Sequence, residues 1–300
     1  MNFIFRLPPT IAGALFMLAS SICFSAMHGF IKLLGSQDMH PLELVFFRNF
    51  FGLIAFLPIF LRHGFEPLKT DRLPLHGFRA IMNVTAMSLF FWSVTLIPLA
   101  KVQALGYTAP LFTAIGAIFL LHEKIRLHRS AALIIGFVGA IVILRPHDTQ
   151  LDTGSIMVLV SAMMWGFCMI LIKMLSRTES ALTITFYMVA LMTPLSLVPA
   201  LFVWQWPEGE QWLYLLAIGL IGTVAQMAFT QSFRMADTTA VLPFDFGKLV
   251  FSAVIGTFFF GDPQDIFIWI GGAMIFAGGL YIAYRERHSG TEQQSARETG

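Results

Sequence analysis

Two opposite charges sit in the middle of an apolar run. Thr238 to Phe260 reads TTAVLPFDFGKLVFSAVIGTFFF, long enough to cross a bilayer, which takes about 20 mainly apolar residues. Asp245 and Lys248 lie three apart, so on a helix they share a face, and Thr238, Val241 and Ser252 extend it at spacings of three and four. An ionised side chain at that depth costs about 3 kcal/mol by insertion scales. Two of them make sense if they face protein, water or a ligand: either an ion pair locks this helix to a neighbour, or the pair takes part in a solute pathway. Arg48 is a third such charge. It lies seven residues into another apolar segment, about 10 Å deep at a rise of about 1.5 Å per residue. Lys248 or Arg48 would hold the carboxylate of an anionic or zwitterionic solute, with Asp245 binding an amine or shuttling a proton. The competing reading pairs Arg48 with Glu43 or with carbonyls of a broken helix.

Other polar and aromatic residues recur at helical spacing. Ser21, Ser25, His28 and Lys32 follow one another at four, three and four, a stripe that could face a cavity, although a histidine in such a stripe serves a hydrogen-bonded structure as readily as a proton relay. Arg79 and Asn83 share a face, with Trp92 further along. Gln103 and Tyr107 share another just before Pro110, whose missing N–H would bend the helix and free a carbonyl. Trp165, Thr183 with Tyr187, and Thr223, Gln226 and Thr230 complete the set. Each has a bland reading, since aromatics anchor helix ends at the membrane interface and Ser or Thr bonds its own backbone. Taken together they suit a cavity for a small organic solute with a flat or polar group.

Motifs for other chemistries are missing. The sequence holds no GxxxxGK[ST], no GxGxxG after a strand, no HExxH and no GxSxG. This excludes the usual nucleotide, zinc and hydrolase signatures, so no cofactor or metal is expected and the chain reads as something other than an enzyme. Movement of a solute would draw on an ion or solute gradient, with protons the candidate on the strength of Asp245 and His28. A membrane enzyme acting on lipid would need acidic or histidine clusters at a membrane face. A non-transporting structural or binding protein predicts polar stripes that pair with one another around a dry interior.

The elements that must position these residues follow from composition. Of 300 residues 57% are hydrophobic and 12% charged, against about 25% charged in soluble domains, which makes this a polytopic membrane protein. Apolar segments run over about 11–34, 42–61, 75–97, 99–121, 128–145, 153–175, 182–203, 211–233, 238–260 and 265–284. The first exceeds the 7 to 15 residues (roughly) of a signal-peptide core and reads as a retained span. With the N-terminus inside, fourteen Lys and Arg fall at inside ends, among them Arg6, Lys69, Lys124, Arg126 and Arg177, against Lys32, Lys101 and Arg145 outside. That bias predicts both termini inside. The basic residues form short clusters rather than one face, so nucleic acid is not an expected partner; solute and bilayer are. Cys23 and Cys168 lie within apolar runs and read as packing residues.

The chain also repeats itself. A shift of 141 lays GALFMLASSICFSAMHGFIKLL over GSIMVLVSAMMWGFCMILIKML, pairing Ser20 with Ser161 and Lys32 with Lys173; a shift of 139 pairs Val102 with Val241, Phe112 with Phe251 and Glu123 with Asp262. Each half is then a five-helix unit, over 1–147 and 148–288, with a disordered polar tail at 289–300. Five is odd, so the second copy enters from the opposite side. The predicted class is an all-α membrane protein of ten transmembrane helices in two inverted five-helix repeats, an arrangement that marks secondary transporters.

PLELVFFRNFFG from Pro41, HGFRAIMNVTAMSLFFWSVTLIPLAKVQAL from His76, APLFTAIGAIFLLHEKI from Ala109 and FRMADTTAVLPFDFGKLVFSAVIGTFFFGD from Phe233 carry a resemblance that covers nearly the whole chain. The sequence resembles the drug/metabolite transporter superfamily, in particular proteins with two EamA-type domains, whose members include bacterial carriers of S-adenosylmethionine, riboflavin and amino-acid-like metabolites. Where that family often has Glu after the ninth helix, this chain has Asp262. The resemblance implies a ten-helix carrier in a bacterial inner membrane, working by alternating access around a hydrated central chamber.

Overall fold

The structure, a computed structural model, describes residues 8–63, 70–121, 127–145, 152–176, 178–179, 181–236 and 238–298. Glu123 and the orientation-setting Arg6, Lys69, Lys124, Arg126 and Arg177 lie outside the described residues. All regular structure among the described residues is helical: α1 (Pro9–Gly35), α2 (Pro41–His63), α3 (Leu73–Leu96), α4 (Leu99–Gly106), α5 (Ala109–Leu121), α6 (Leu127–Leu144), α7 (Thr153–Leu175), α8 (Ala181–Leu201), α9 (Gln211–Met235), α10 (Thr238–Asp245), α11 (Gly247–Phe260) and α12 (Ile266–Glu298). Among the described residues, six stretches, including Val241–Phe260 across the α10–α11 junction, are long and apolar enough to span a membrane, and shorter apolar helices such as Leu133–Leu144 accompany them. Large apolar side chains such as Ile134, Ile141, Val224 and Val254 are exposed on the outside of the bundle, as lipid requires.

Every predicted apolar segment is a helix, but the fourth and ninth are each broken in two. In the fourth, Pro110 has no N–H to continue the ladder, and the chain restarts one turn earlier: the N–H groups of Leu111 and Phe112 both bond the Thr108 carbonyl, at 2.9 and 3.1 Å. The ninth breaks at Phe246, three residues after Pro243, with the Leu249 N–H on the Phe246 carbonyl at 3.0 Å. The last helix runs on to Glu298, where the sequence predicts a disordered tail. Nothing in Glu292, Gln293, Gln294, Ala296 and Arg297 stops a helix, since all are good helix formers and no proline follows Ile266.

Helix ends are tied by side chains that thereby leave the interior. Glu43 accepts the N–H of His40 at 3.2 Å and that of Gln205 at 2.6 Å, capping the start of α2 and holding the α8–α9 connection. Asp152 caps α7 through the Ser155 N–H at 2.7 Å and also binds Lys101 at 2.6 Å. Gly261, with φ of +66°, ends α11 in the left-handed region, which glycine adopts without a Cβ penalty. The turn places Asp262 back over the bundle.

Packing is dominated by contacts between the two sequence halves. α1 packs on α9, and α7 packs on α3; α5 packs on α7, and α11 on α1; α2 packs on α9, and α8 on α3. Exchanging each helix with its counterpart in the other half turns the first member of each pair into the second. α2 with α8 and α6 with α12 are their own counterparts.

Candidate functional site

The polar stripe of α1 lies along both broken helices. Helix ends leave carbonyls without intrahelical partners. At the α10–α11 break those of Phe244 and Asp245 are taken by the hydroxyls of Ser21 (3.4 Å) and Tyr107 (2.8 Å). Ser25 donates to the Lys248 carbonyl at 3.1 Å and receives the Ser252 hydroxyl at 3.0 Å. Next along, the His28 ring nitrogen Nδ1 meets the Gln103 amide at 2.7 Å. Tyr107 and Phe246, one at each break and 139 apart in sequence, stack with centroids 6.1 Å apart. Tertiary contact has thus gathered Asp245, Lys248, Tyr107, His28 and Gln103 around one junction.

The charges at this junction answer each other. Lys248 Nζ is 2.6 Å from Asp245 Oδ1 and sits over the rings of Phe24 and Phe229, 4.9 Å from each centroid. The contact is short but poorly directed, since Asp245 Oδ1 is buried without a hydrogen bond of proper geometry.

Arg48 is placed differently. It borders a narrow void between α2, α8 and α9, lined by Arg48, Asn49, Gly52, Met188, Val189, Met192, Thr223 and Gln226. About 20 Å³ of it is open to the centre of a water molecule, enough for one water. Arg48 Nη1 donates to Asn49 Oδ1 at 3.1 Å, and Asn49 Nδ2 reaches Ser196 at 3.5 Å. The alternative partner read from the sequence, Glu43, is occupied by the backbone of His40 and Gln205. Asn83 and Trp165 adjoin this void through Met192: Trp165 Nε1 donates to Asn83 Oδ1 at 2.9 Å, and Asn83 Nδ2 points at the Met192 sulfur at 3.2 Å. Phe90 links the two regions, 5.0 Å from Trp165 and 5.2 Å from His28 between centroids. Among the described residues, aromatic rings and matched polar groups fill the space between these two regions, where the sequence led us to expect a hydrated chamber. A surface depression of about 680 Å³ at the start of α3, lined by Asp71, Arg72, Pro74, Leu75, Phe78 and Met174, is open and shares no residue with the intramembrane site.

Two predicted site residues lie elsewhere. Trp92 packs edge-on against His40 at 5.0 Å, away from Asn83. Tyr187 stacks on His76 at 4.8 Å, beside a tie that reading the sequence missed: His76 Nε2 is 2.5 Å from Glu179, which also accepts the Thr70 hydroxyl. A second missed tie closes the opposite end. Lys32 Nζ is 2.5 and 2.7 Å from the two oxygens of Asp262. The stripe position of Lys32 and the acidic residue shared by the repeats were the available signals.

The Glu179 tie carries a pH dependence. Burial pushes its carboxyl up, but hydrogen bonds from Thr70 and His76 and the charges of His76 and Arg72 outweigh it, leaving the pKa below the ordinary 4.5. A carboxylate held low in the folded state stabilises it above the unfolded pKa, and that contribution disappears as pH falls through the folded value. Wild-type protein should therefore melt higher than Glu179→Gln at neutral pH, with the gap closing below about pH 4. Parallel melting curves across that range would remove Glu179 from this role.

Residues 11–145 and 152–284 each match the EamA-like transporter family. The chain belongs to that family. One EamA match falls in each half of the chain. Relatives of this EamA-family protein include the S-adenosylmethionine uptake transporter of Rickettsia felis, 30% identical over 92% of this chain and 94% of that protein. The riboflavin transporter of Vibrio cholerae is 30% identical over 91% and 93%. The pseudopaline exporter of Pseudomonas aeruginosa is 25% identical over 91% and 96%. A solved crystal structure shares the fold, with a TM-score of 0.56 at 18% identity over 90% of this chain and 98% of that one. This is a multi-pass membrane protein of a transporter family and not an enzyme.

Proposed function

We propose that this protein is a secondary active transporter of a small organic metabolite, working by alternating access in a bacterial inner membrane with both termini cytoplasmic. The observation that carries the reading is the duplicated EamA match, with the two copies meeting at helices broken at equivalent positions, Tyr107 and Phe246. The exchange of helix contacts between counterparts, α1–α9 for α7–α3 and α5–α7 for α11–α1, supports two inverted repeats over 1–147 and 148–288. Unwound backbone at membrane depth is tolerated where it is buried in protein or lines a cavity, and here the freed carbonyls of Phe244 and Asp245 meet Ser21 and Tyr107. In this reading Lys32–Asp262 closes the outer end and His76–Glu179 the inner end, so the conformation is occluded, and transport breaks one tie at a time. Because the halves interleave, the moving bodies are mixed bundles rather than the two halves as blocks.

Relatives named for uptake and for export leave direction open, and their substrates select the first probes. Proteoliposomes loaded with unlabelled compound should accumulate labelled S-adenosylmethionine, riboflavin or an amino-acid-like metabolite by counterflow, above protein-free vesicles. In the same vesicles Asp245→Asn should abolish uptake driven by a pH gradient while sparing exchange; unchanged gradient-driven uptake removes Asp245 from proton coupling. The closed interior, with polar stripes that pair with one another, favours one second reading: a membrane protein without transport. That reading predicts no counterflow with any member of the panel.

A further inference from the structure

Resting on the transporter reading, we propose that the void beside Arg48 is the seat of a carboxylate on the carried solute, and that Lys248 is not. The two cations look alike in the sequence but differ in their surroundings. Lys248 has a carboxylate at 2.6 Å and an aromatic ring on two sides. The hydrogen bond of Arg48 goes to a neutral amide, Asn49, and among the described residues no carboxylate pairs with it. An intramembrane guanidinium without a counter-charge is costly, and such positions carry function by default.

The geometry narrows the class of partner. With Nη1 engaged by Asn49, the Nε and Nη2 edge of the fork remains to be matched, and that planar pair of donors fits the two oxygens of a carboxylate. Gln226, on the α9 side of the void, has a side-chain amide that bonds no other described residue and can donate to the same anion. Thr223 does not compete, since its hydroxyl is turned to the Gly219 carbonyl at 2.8 Å. Met188 and Met192 form the α8 wall, and flexible thioether side chains can reshape around a bound group. Asn83 contacts the sulfur of Met192 and accepts the Trp165 indole N–H, so both adjoin the void and can meet the rest of a small solute. The void now admits about one water. A carboxylate enters when α8 and α9 move apart from α2, which couples occupancy of the site to opening of the bundle. The solute class is a small organic anion or zwitterion.

The test is equilibrium binding to the detergent-purified full chain, with benzoate and its neutral isostere benzamide as probes at matched ionic strength. Benzoate should raise the melting temperature and bind about tenfold or more tightly than benzamide. Arg48→Gln should lose about tenfold in benzoate affinity, Arg48→Lys should keep part of it, and Gln226→Leu should weaken benzoate but not benzamide. The paired change Lys248→Gln with Asp245→Asn should cost less benzoate affinity than Arg48→Gln does. Equal binding of the two probes, no binding of benzoate, or full benzoate affinity in Arg48→Gln overturns the proposal. If Arg48→Gln does not fold, Arg48→Lys and Gln226→Leu decide it in the same way. Vesicles that exchange no solute while benzoate binding still depends on Arg48 would sink the transport reading alone; exchange that persists beside Arg48-independent binding would sink this one alone.

Discussion

Asp262→Ala is expected to cost about 3 kcal/mol of stability, within the range for removing one partner of a buried ion pair, and to loosen the end of the bundle at which α1 terminates. The carboxylate of Asp262 joins three parts of the chain. It binds Lys32 on α1 through both oxygens and accepts the Leu99 N–H at 2.9 Å, where α4 begins after the α3 corner. Lys32 also donates to the Ile97 carbonyl at 3.3 Å and lies over Phe260 at 5.4 Å. The two side chains are only 14% and 11% exposed, so solvent screens the pair weakly. Removing the carboxylate strands an ammonium and orphans a backbone donor. Asp262→Asn keeps an acceptor for Leu99 and should fall between, while exchanging the charges, Lys32→Asp with Asp262→Lys, should rescue poorly because an ammonium cannot accept the Leu99 N–H. Melting of the purified variants measures this order. Asp262→Ala unfolding with wild-type stability, or a full rescue by the exchange, would refute the account.

Gly271→Leu should prevent recovery of folded protein, and Gly271→Ala should cost about 2–3 kcal/mol, at the upper end for overpacking. α6 and α12 touch backbone to backbone here: a Cβ built at Gly139 would lie 2.7 Å from the Gly271 carbonyl oxygen and 2.8 Å from the Met274 Cβ, and one at Gly271 would strike the Gly139 carbonyl. A side chain can rotate away from a new methyl, but a carbonyl locked in a helix cannot, so the helices must part. Parting them withdraws the contacts of Ala140, Ile143 and Ile275, all within 4% of full burial. Small residues that let helices approach closely are the main source of packing energy where lipid is as apolar as the side chains. Gly77 is the control, since a Cβ there meets nothing within 4 Å. Gly77→Ala should be neutral or mildly stabilising. Equal stability of Gly77→Ala and Gly271→Ala would show that the close approach does not matter.

The helices and their order were legible because a continuous apolar run of about 20 residues in a bilayer satisfies its N–H and C=O groups within the segment as a helix. Pro110 even announced the break in the fourth segment. Side-chain neighbours were less legible. Asn83 and Trp92 are nine residues apart, which at about 100° per residue puts them on opposite faces of α3, and the structure sends one to Trp165 and the other to His40. Periodicity along one helix says which residues point together; it is silent on what another helix brings to meet them.

That division holds for the charges at the centre of the proposed mechanism. The amino-acid sequence by itself determined that Arg48, Asp245 and Lys248 lie within apolar segments of about 20 residues, the length at which hydropathy decides insertion. It also carries a repeat at 139 to 141 residues, and each half matches one EamA-like domain. Only the tertiary structure decided that Lys248 is neutralised by Asp245 while Arg48 faces a void with a neutral amide. The physical reason is that the cost of a buried charge is set by atoms within a few ångströms of it, and those atoms come from helices far away in the chain.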